Sequence, residues 1–146
     1  ILTRIKTPYE ILNQETAAGK FIYKRYEKLN KIYDDMLKDA VKAATEDNLF
    51  VFTYDDDKMS FTGDIANELL YKFPDKVILV GRKKDDDVRM SIRSKKTLLP
   101  PLLNKALAGL EGYGGGHEYA CGANVKQRDF EEFTERMRKL IDKTKI

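Results

Sequence analysis

Three consecutive glycines, Gly114, Gly115 and Gly116, stand directly before His117, the single histidine of the chain. Glycine lacks a Cβ, so successive amide N–H groups can turn inward around an anion, and an imidazole beside them adds a donor that can carry charge near neutral pH. Phosphate suits such a grip. Upstream, Arg93 shares the polar positions of an alternating run with Arg89 and Ser91, and a guanidinium matches a phosphate with two parallel N–H bonds. Lys95 and Lys96 follow and extend the positive field. Residue types alone leave both features open: the glycines read as a phosphate site or a flexible connection, Arg93 as half of a clamp or part of a solvated sheet surface.

Other residues offer less chemistry. The aspartate triplets Asp55–Asp57 and Asp85–Asp87 have neither the offset ligands nor the glycine of a calcium loop, and they read as solvated turns. Cys121 has no base near it in sequence and lies between Ala120 and Gly122, where a small buried residue is expected rather than a nucleophile. Zinc-ligand spacing, a nucleophile elbow and a Walker-type loop are all missing from the sequence. A hydrolytic centre is therefore not visible in these 146 residues.

The elements that must position these residues are legible in the patterning. Thr7, Pro8 and Glu10 carry the signature of a helix start, and apolar residues from Phe21 to Ala44 recur at helical spacing. Gly19 is expected to break or kink this stretch, making two helices of residues 8–45. Leu49–Tyr54 reads as a strand, 62–73 as a helix stopped by Pro74, and Val77–Gly81 as a second strand, an order that favours a parallel pair. Val88, Met90 and Ile92 alternate with Arg89, Ser91 and Arg93, the period of a strand with one buried face, after a hairpin turn at Lys84–Asp87. Pro100 and Pro101 open a short helix that ends near Gly109 and Gly112. The glycine run then predicts a loop, Glu118–Cys121 a single helical turn, Gly122–Val125 a short strand and Gln127–Lys143 a terminal helix. The fold class expected is α/β: a mixed β-sheet flanked by helices, with a long N-terminal connector helix. Residues 1–47 are expected to be the connector and 48–146 the domain proper.

Composition sets wider bounds. With 42% apolar and 35% charged residues, 146 residues suffice for one sizeable core. A net charge of +3 is too weak to demand nucleic acid but is compatible with an anion met locally. Few aromatics lie beside the basic residues, so a stacking platform for long single strands is not expected. One cysteine cannot form an internal disulfide, and no apolar run approaches the roughly 18 residues of a membrane span. A reduced, cytoplasmic setting is the expectation. The start at Ile1 leads us to expect a piece of a longer protein.

Val88–Ser94, reading VRMSIRS, followed about twenty residues later by GGGHEYACGANV over Gly114–Val125, resembles the DHH-associated substrate-binding domain of the DHH phosphoesterases. RecJ-like exonucleases, oligoribonucleases and cyclic-dinucleotide phosphodiesterases belong to that group. The resemblance covers roughly residues 48–143. It implies a two-domain enzyme whose N-terminal DHH domain holds two divalent metals, manganese or magnesium, that activate water against a phosphodiester. The associated domain binds the substrate's nucleotide and phosphate. By position, Gly114, Gly115, Gly116 and His117 would hold a phosphate, while Ser91 and Arg93, with Ser94 completing the Ser-x-Arg-Ser run, would contact the backbone or terminal nucleotide.

The chain departs from the whole enzyme in having no Asp-His-His motif and no aspartate and histidine set for two metals. Catalytic and metal-ligating residues, and any cofactor, are thus expected outside it, and the piece should bind without hydrolysing. The implied partners are single-stranded nucleic acid or a short oligonucleotide, the enzyme's own DHH domain, and replication proteins. A cyclic-dinucleotide or short-oligonucleotide phosphodiesterase is the alternative, as is a non-catalytic scaffold in a replication assembly or a module like that ending alanyl-tRNA synthetase-like proteins.

Overall fold

The computed structural model describes residues 2–55 and 59–144. The chain divides into two compact units, Ile1–Asp39 and Ala40–Ile146. In the first, helix α1 (Pro8–Leu12) precedes the start of the long helix α2 (Ala17–Lys42). Thr7 takes the N-cap position with extended backbone, but its hydroxyl makes no capping bond; instead Glu10 Oε1 accepts the Lys6 N–H at 3.1 Å. Two helices do form, and the break lies before Gly19 rather than at it. Thr16 Oγ1 accepts the Gly19 N–H at 3.0 Å and so caps α2, while a Cβ on Gly19 would collide with the Glu10 carbonyl oxygen. Gly19 therefore serves the close approach of α1, not flexibility.

The second unit is built on five strands. They are β1 (Leu49–Asp55), β2 (Val77–Lys84), β3 (Asp87–Arg93), β4 (Gly112–His117) and β5 (Ala120–Lys126), in the spatial order β1-β2-β3-β5-β4. Among the described residues only β1 and β2 run parallel, joined by helix α3 (Thr62–Lys72) as the strand-helix-strand order predicts. All other pairs are antiparallel, so the sheet is mixed. Among the described residues no helix is long and apolar enough to cross a membrane. Of the first aspartate triplet, Asp56 and Asp57 lie outside the described residues.

Strand alternation sends two different sets of side chains to the two faces. One face carries Leu49, Val77, Leu79, Val88, Met90, Ile92, Cys121, Ala123 and Val125 into a core closed by helices α4 (Leu99–Leu107) and α5 (Phe130–Thr144), which contribute Leu99, Leu103, Phe133, Met137 and Ile141. On the opposite face Phe50, Ile78 and Val80 are buried, and α3 supplies Ile65, Ala66 and Leu69. The Phe50 and Phe73 rings meet at 5.2 Å there. Helices thus flank both faces.

The β2–β3 turn uses the second aspartate triplet. Asp85 takes a left-handed φ of 51°, which an aspartate tolerates, and Asp87 pairs with Lys126 on β5 at 2.9 Å. The Lys126 ammonium, and to a lesser degree Asn124 and Arg89, hold the Asp87 carboxyl below its usual range. A depressed carboxyl pKa contributes stability that is present above the unfolded-state value and lost as pH falls through the folded one. Asp87→Asn should therefore melt slightly below the wild type at pH 7, and the gap should close as the pH is taken below 3.8, measured by thermal melts across pH.

Candidate functional site

Where α3 stops covering the sheet, the face it shares becomes polar and small. The register sets three rows across β3, β5 and β4: Arg93–Ala120–His117, then Ser91–Gly122–Gly115, then Arg89–Asn124–Tyr113. Residues directly opposite in antiparallel strands share a face, so all nine look the same way. Arg93 and His117 stand on either side of Ala120, two strand spacings or ~10 Å apart. Between them the floor is Ala120, Gly122 and Gly115. A cleft of about 550 Å³ opens over the Gly122 and Gly115 part of this floor, lined also by Ser60, Thr62, Arg82, Arg89, Tyr113 and Asn124, while Arg93, Ala120 and His117 stand outside its lining.

Arg93 and Ser91 are each held by named partners. Arg93 Nε donates to Asn67 Oδ1 on α3 at 3.0 Å, and its Nη1 donates to the carbonyls of Ile92 and Cys121 at 3.0 and 3.2 Å. Nη2 has no hydrogen bond among the described residues. Ser91 Oγ donates to Thr62 Oγ1 at 3.0 Å, tying the floor to the start of α3. The two residues between β4 and β5, Glu118 and Tyr119, give their carbonyls to the Leu99 and Ser94 N–H groups at 2.8 and 3.0 Å. That anchors the hairpin end beside His117, which is exposed.

The glycine run is not the loop that its composition predicts. Gly112–His117 is an edge strand paired along its length with β5, and Glu118–Cys121 is a tight turn entering a strand rather than a turn of helix. Pairing to β5 satisfies backbone groups that a loop would leave to water, which is why tertiary context overrides glycine's weak strand preference. The amides therefore do not converge beside a helix N-terminus.

The three glycines also do different work. A Cβ on Gly114 would stand 2.9 Å from the Ala123 Cβ, 2.9 Å from the Gly122 carbonyl oxygen and 3.0 Å from Leu103 Cδ2, so this position needs glycine to let β4 close on β5 and α4. Gly116 has φ +149°, and a Cβ there would collide with the Ala120 carbonyl oxygen. Gly115 alone meets nothing within 4 Å. It faces the cleft.

Among the residues singled out in sequence, the structure brings Ser91, Arg93, Gly115 and His117 together on one face, with Gly114 and Gly116 supporting from behind. Ser94 stands apart. It is buried, and its Oγ accepts the Lys96 and Thr97 N–H groups at 3.2 and 2.8 Å, shaping the turn that follows β3. Cys121 is buried, its thiol donates to the His117 carbonyl at 3.3 Å, and burial raises its pKa against a smaller opposing effect of Arg93. A protonated, enclosed thiol is no nucleophile. Among the described residues no three His, Cys, Asp or Glu side chains gather as metal ligands would.

Sequence reasoning did not find Tyr113, Asn124, Thr62 and Asn67. Tyr113 and Asn124 were within reach: once the glycine run is taken as a strand, counting back by two from His117 and Gly115 arrives at Tyr113, an aromatic beside Arg89 where none was expected. Thr62 and Asn67 come from α3 across the fold, and nothing local announces them.

A three-layer α/β module with one open, glycine-floored sheet face is the class this arrangement defines. The chain belongs to the DHHA1 domain family, whose model matches residues 46–143. No curated protein sequence matches it significantly. Among solved structures it is similar to RecJ in complex with Mg2+ from Thermus thermophilus, with a TM-score of 0.72 and 17% identity, over 87% of this chain and 20% of that one. It is also similar to PggH of Vibrio cholerae, a pGpG-specific phosphodiesterase, with a TM-score of 0.63 and 12% identity over 87% of this chain and 43% of that one. The C-Ala domain of Aquifex aeolicus alanyl-tRNA synthetase shares the fold less fully, with a TM-score of 0.52 and 18% identity over 64% of this chain and 87% of that one. The chain thus spans about a fifth of the length of that RecJ.

Substitution by alanine separates the glycines. Gly114→Ala and Gly116→Ala should each lose about 1–3 kcal/mol to overpacking and strain, whereas Gly115→Ala should melt at or slightly above the wild-type temperature because it only restricts the unfolded chain. Circular-dichroism melts of the three variants measure this.

Proposed function

We propose that this chain is the substrate-binding part of a DHH-family phosphodiesterase resembling RecJ-like single-strand exonucleases, and that its open sheet face holds the sugar-phosphate backbone of a single-stranded nucleic acid or short oligonucleotide. The observation that carries the reading is the row Arg93–Ala120–His117. It sets a tethered guanidinium and an exposed imidazole on either side of a floor without bulky side chains, so a phosphate can settle on the sheet and take donors from two directions. Arg93 is already oriented by Asn67 and the Cys121 carbonyl, which lowers the ordering cost of binding.

The division of labour follows from what the face contains. It has cations, hydroxyls and an imidazole, and among the described residues no gathered carboxylates, so its part in this proposal is to bind and orient. Two divalent metals, manganese or magnesium, belong in this proposal to a DHH domain outside the chain, where they would activate the water that attacks the phosphodiester. RecJ structures containing Mg2+ or manganese support that placement.

A short oligonucleotide or cyclic dinucleotide is the second reading, and the extent of the cleft favours it. About 550 Å³ is the size of a small-ligand site rather than of a channel for a long strand.

In a titration of the chain with 5′-phosphorylated single strands, Arg93→Ala and His117→Ala should each weaken binding about tenfold, as expected for loss of a charged hydrogen bond. Arg93→Ala should also reduce the slope of log K against log salt by about 0.7, the value for one neutralised phosphate of a single strand. Wild-type affinity and salt slope in both variants would remove the assignment. A dinucleotide bound as tightly as a decamer would decide for the short substrate.

A further inference from the structure

The third row of the open face holds residues that phosphate binding does not use. Tyr113 projects from the edge strand with 71% of its surface exposed, and its partner across the pair is Asn124 on β5, with Arg89 beyond it on β3. Tyr113 lies two residues from Gly115, ~7 Å along the strand. All three residues line both the 550 Å³ cleft and an adjoining hollow of about 380 Å³. Gly115 and Gly122 line the same cleft, so the middle row and this row share one continuous depression.

Asn124 is the distinctive member. Its Oδ1 is buried and has no hydrogen-bond partner among the described residues. Its amide N–H group lies toward Asp87, where it helps hold that carboxyl ionised. A buried acceptor without a donor is costly, and native proteins rarely retain one without a use. What would satisfy it is a planar group carrying N–H donors that also fits against an exposed aromatic ring.

We propose that Tyr113 and Asn124 form a nucleobase subsite, in which the Tyr113 ring stacks on the base and a rotation of the Asn124 amide brings its unpaired Oδ1 to the base's N–H edge. Every base has a face to stack and at least one such donor, an exocyclic amine or a ring N–H, so the subsite selects for the presence of a base before it selects which one. Arg89 adds a cation beside it, suited to a base carbonyl or to the next phosphate. The subsite rests on the phosphate reading above, because a strand whose phosphate is held between Arg93 and His117 runs on over Gly115 to bring a base to Tyr113.

The test titrates the full chain calorimetrically with a 5′-phosphorylated dinucleotide and with an abasic sugar-phosphate analogue of equal charge. The wild type should prefer the dinucleotide. Tyr113→Ala should lose about tenfold on the dinucleotide and nothing on the analogue, Tyr113→Phe should keep the preference, and Asn124→Ala should weaken the dinucleotide about fivefold while leaving the analogue unchanged. His117→Ala should weaken both ligands. Equal losses on the two ligands in Tyr113→Ala, or no loss on either, overturn the base subsite while a His117→Ala effect leaves phosphate binding standing. An unchanged analogue affinity in His117→Ala overturns the phosphate reading instead, and no binding of either ligand by the wild type overturns both.

Discussion

The antiparallel register through β3, β5 and β4 is the constraint on which the open face depends. It sets Arg93, Ala120 and His117 in one row, and a slip of a single residue along β4 would send His117 and Gly115 to the core side and bring Gly114 and Gly116 to the cleft. The slip is opposed sterically. Gly114 is packed so closely on Ala123 and Leu103 that no residue with a Cβ fits there without movement. At the other end, the Glu118 and Tyr119 carbonyls are held by the Leu99 and Ser94 N–H groups. Ser94 thus matters to the site through its backbone and the turn it shapes.

Core and cleft are joined through the same residues. Cys121 points its thiol into the core and gives its carbonyl to Arg93, so the strand that packs against α4 and α5 also orients the guanidinium on the far face. Helix α3 does the equivalent from above. Its buried stripe of Ile65, Ala66 and Leu69 seats it on β2 and β3, and from that seat Asn67 and Thr62 reach Arg93 and Ser91. The short length of α3 leaves β5 and β4 uncovered on that face, which is why a cleft exists at all.

Much of the fold was legible in the residues. The β1–α3–β2 unit, the alternation of β3 and the amphipathic stripes of α3, α4 and α5 all follow from apolar spacing, because burial against a single core imposes period 2 on strands and 3.6 on helices. The glycine run escaped such reading. Without side chains it carries no periodicity, and a strand assembled from Gly112, Gly114, Gly115 and Gly116 is recognisable only from the partner it pairs with. Taking the run as a loop also hid Tyr113, whose place beside Arg89 and Asn124 depends on counting along a strand.

By itself, the sequence determined which residue types with anion-binding chemistry are present: a unique histidine after glycines, and an arginine and serine alternating on a strand's polar side, types whose chemistry is intrinsic and needs no fold to be recognised. The tertiary structure alone decided which of them meet. Pairing across β5 joins residues more than twenty positions apart, and steric contact assigns Gly114 and Gly116 to packing while leaving Gly115 to the cleft. Those outcomes depend on register and on close approach between strands, quantities fixed by long-range pairing and by core packing.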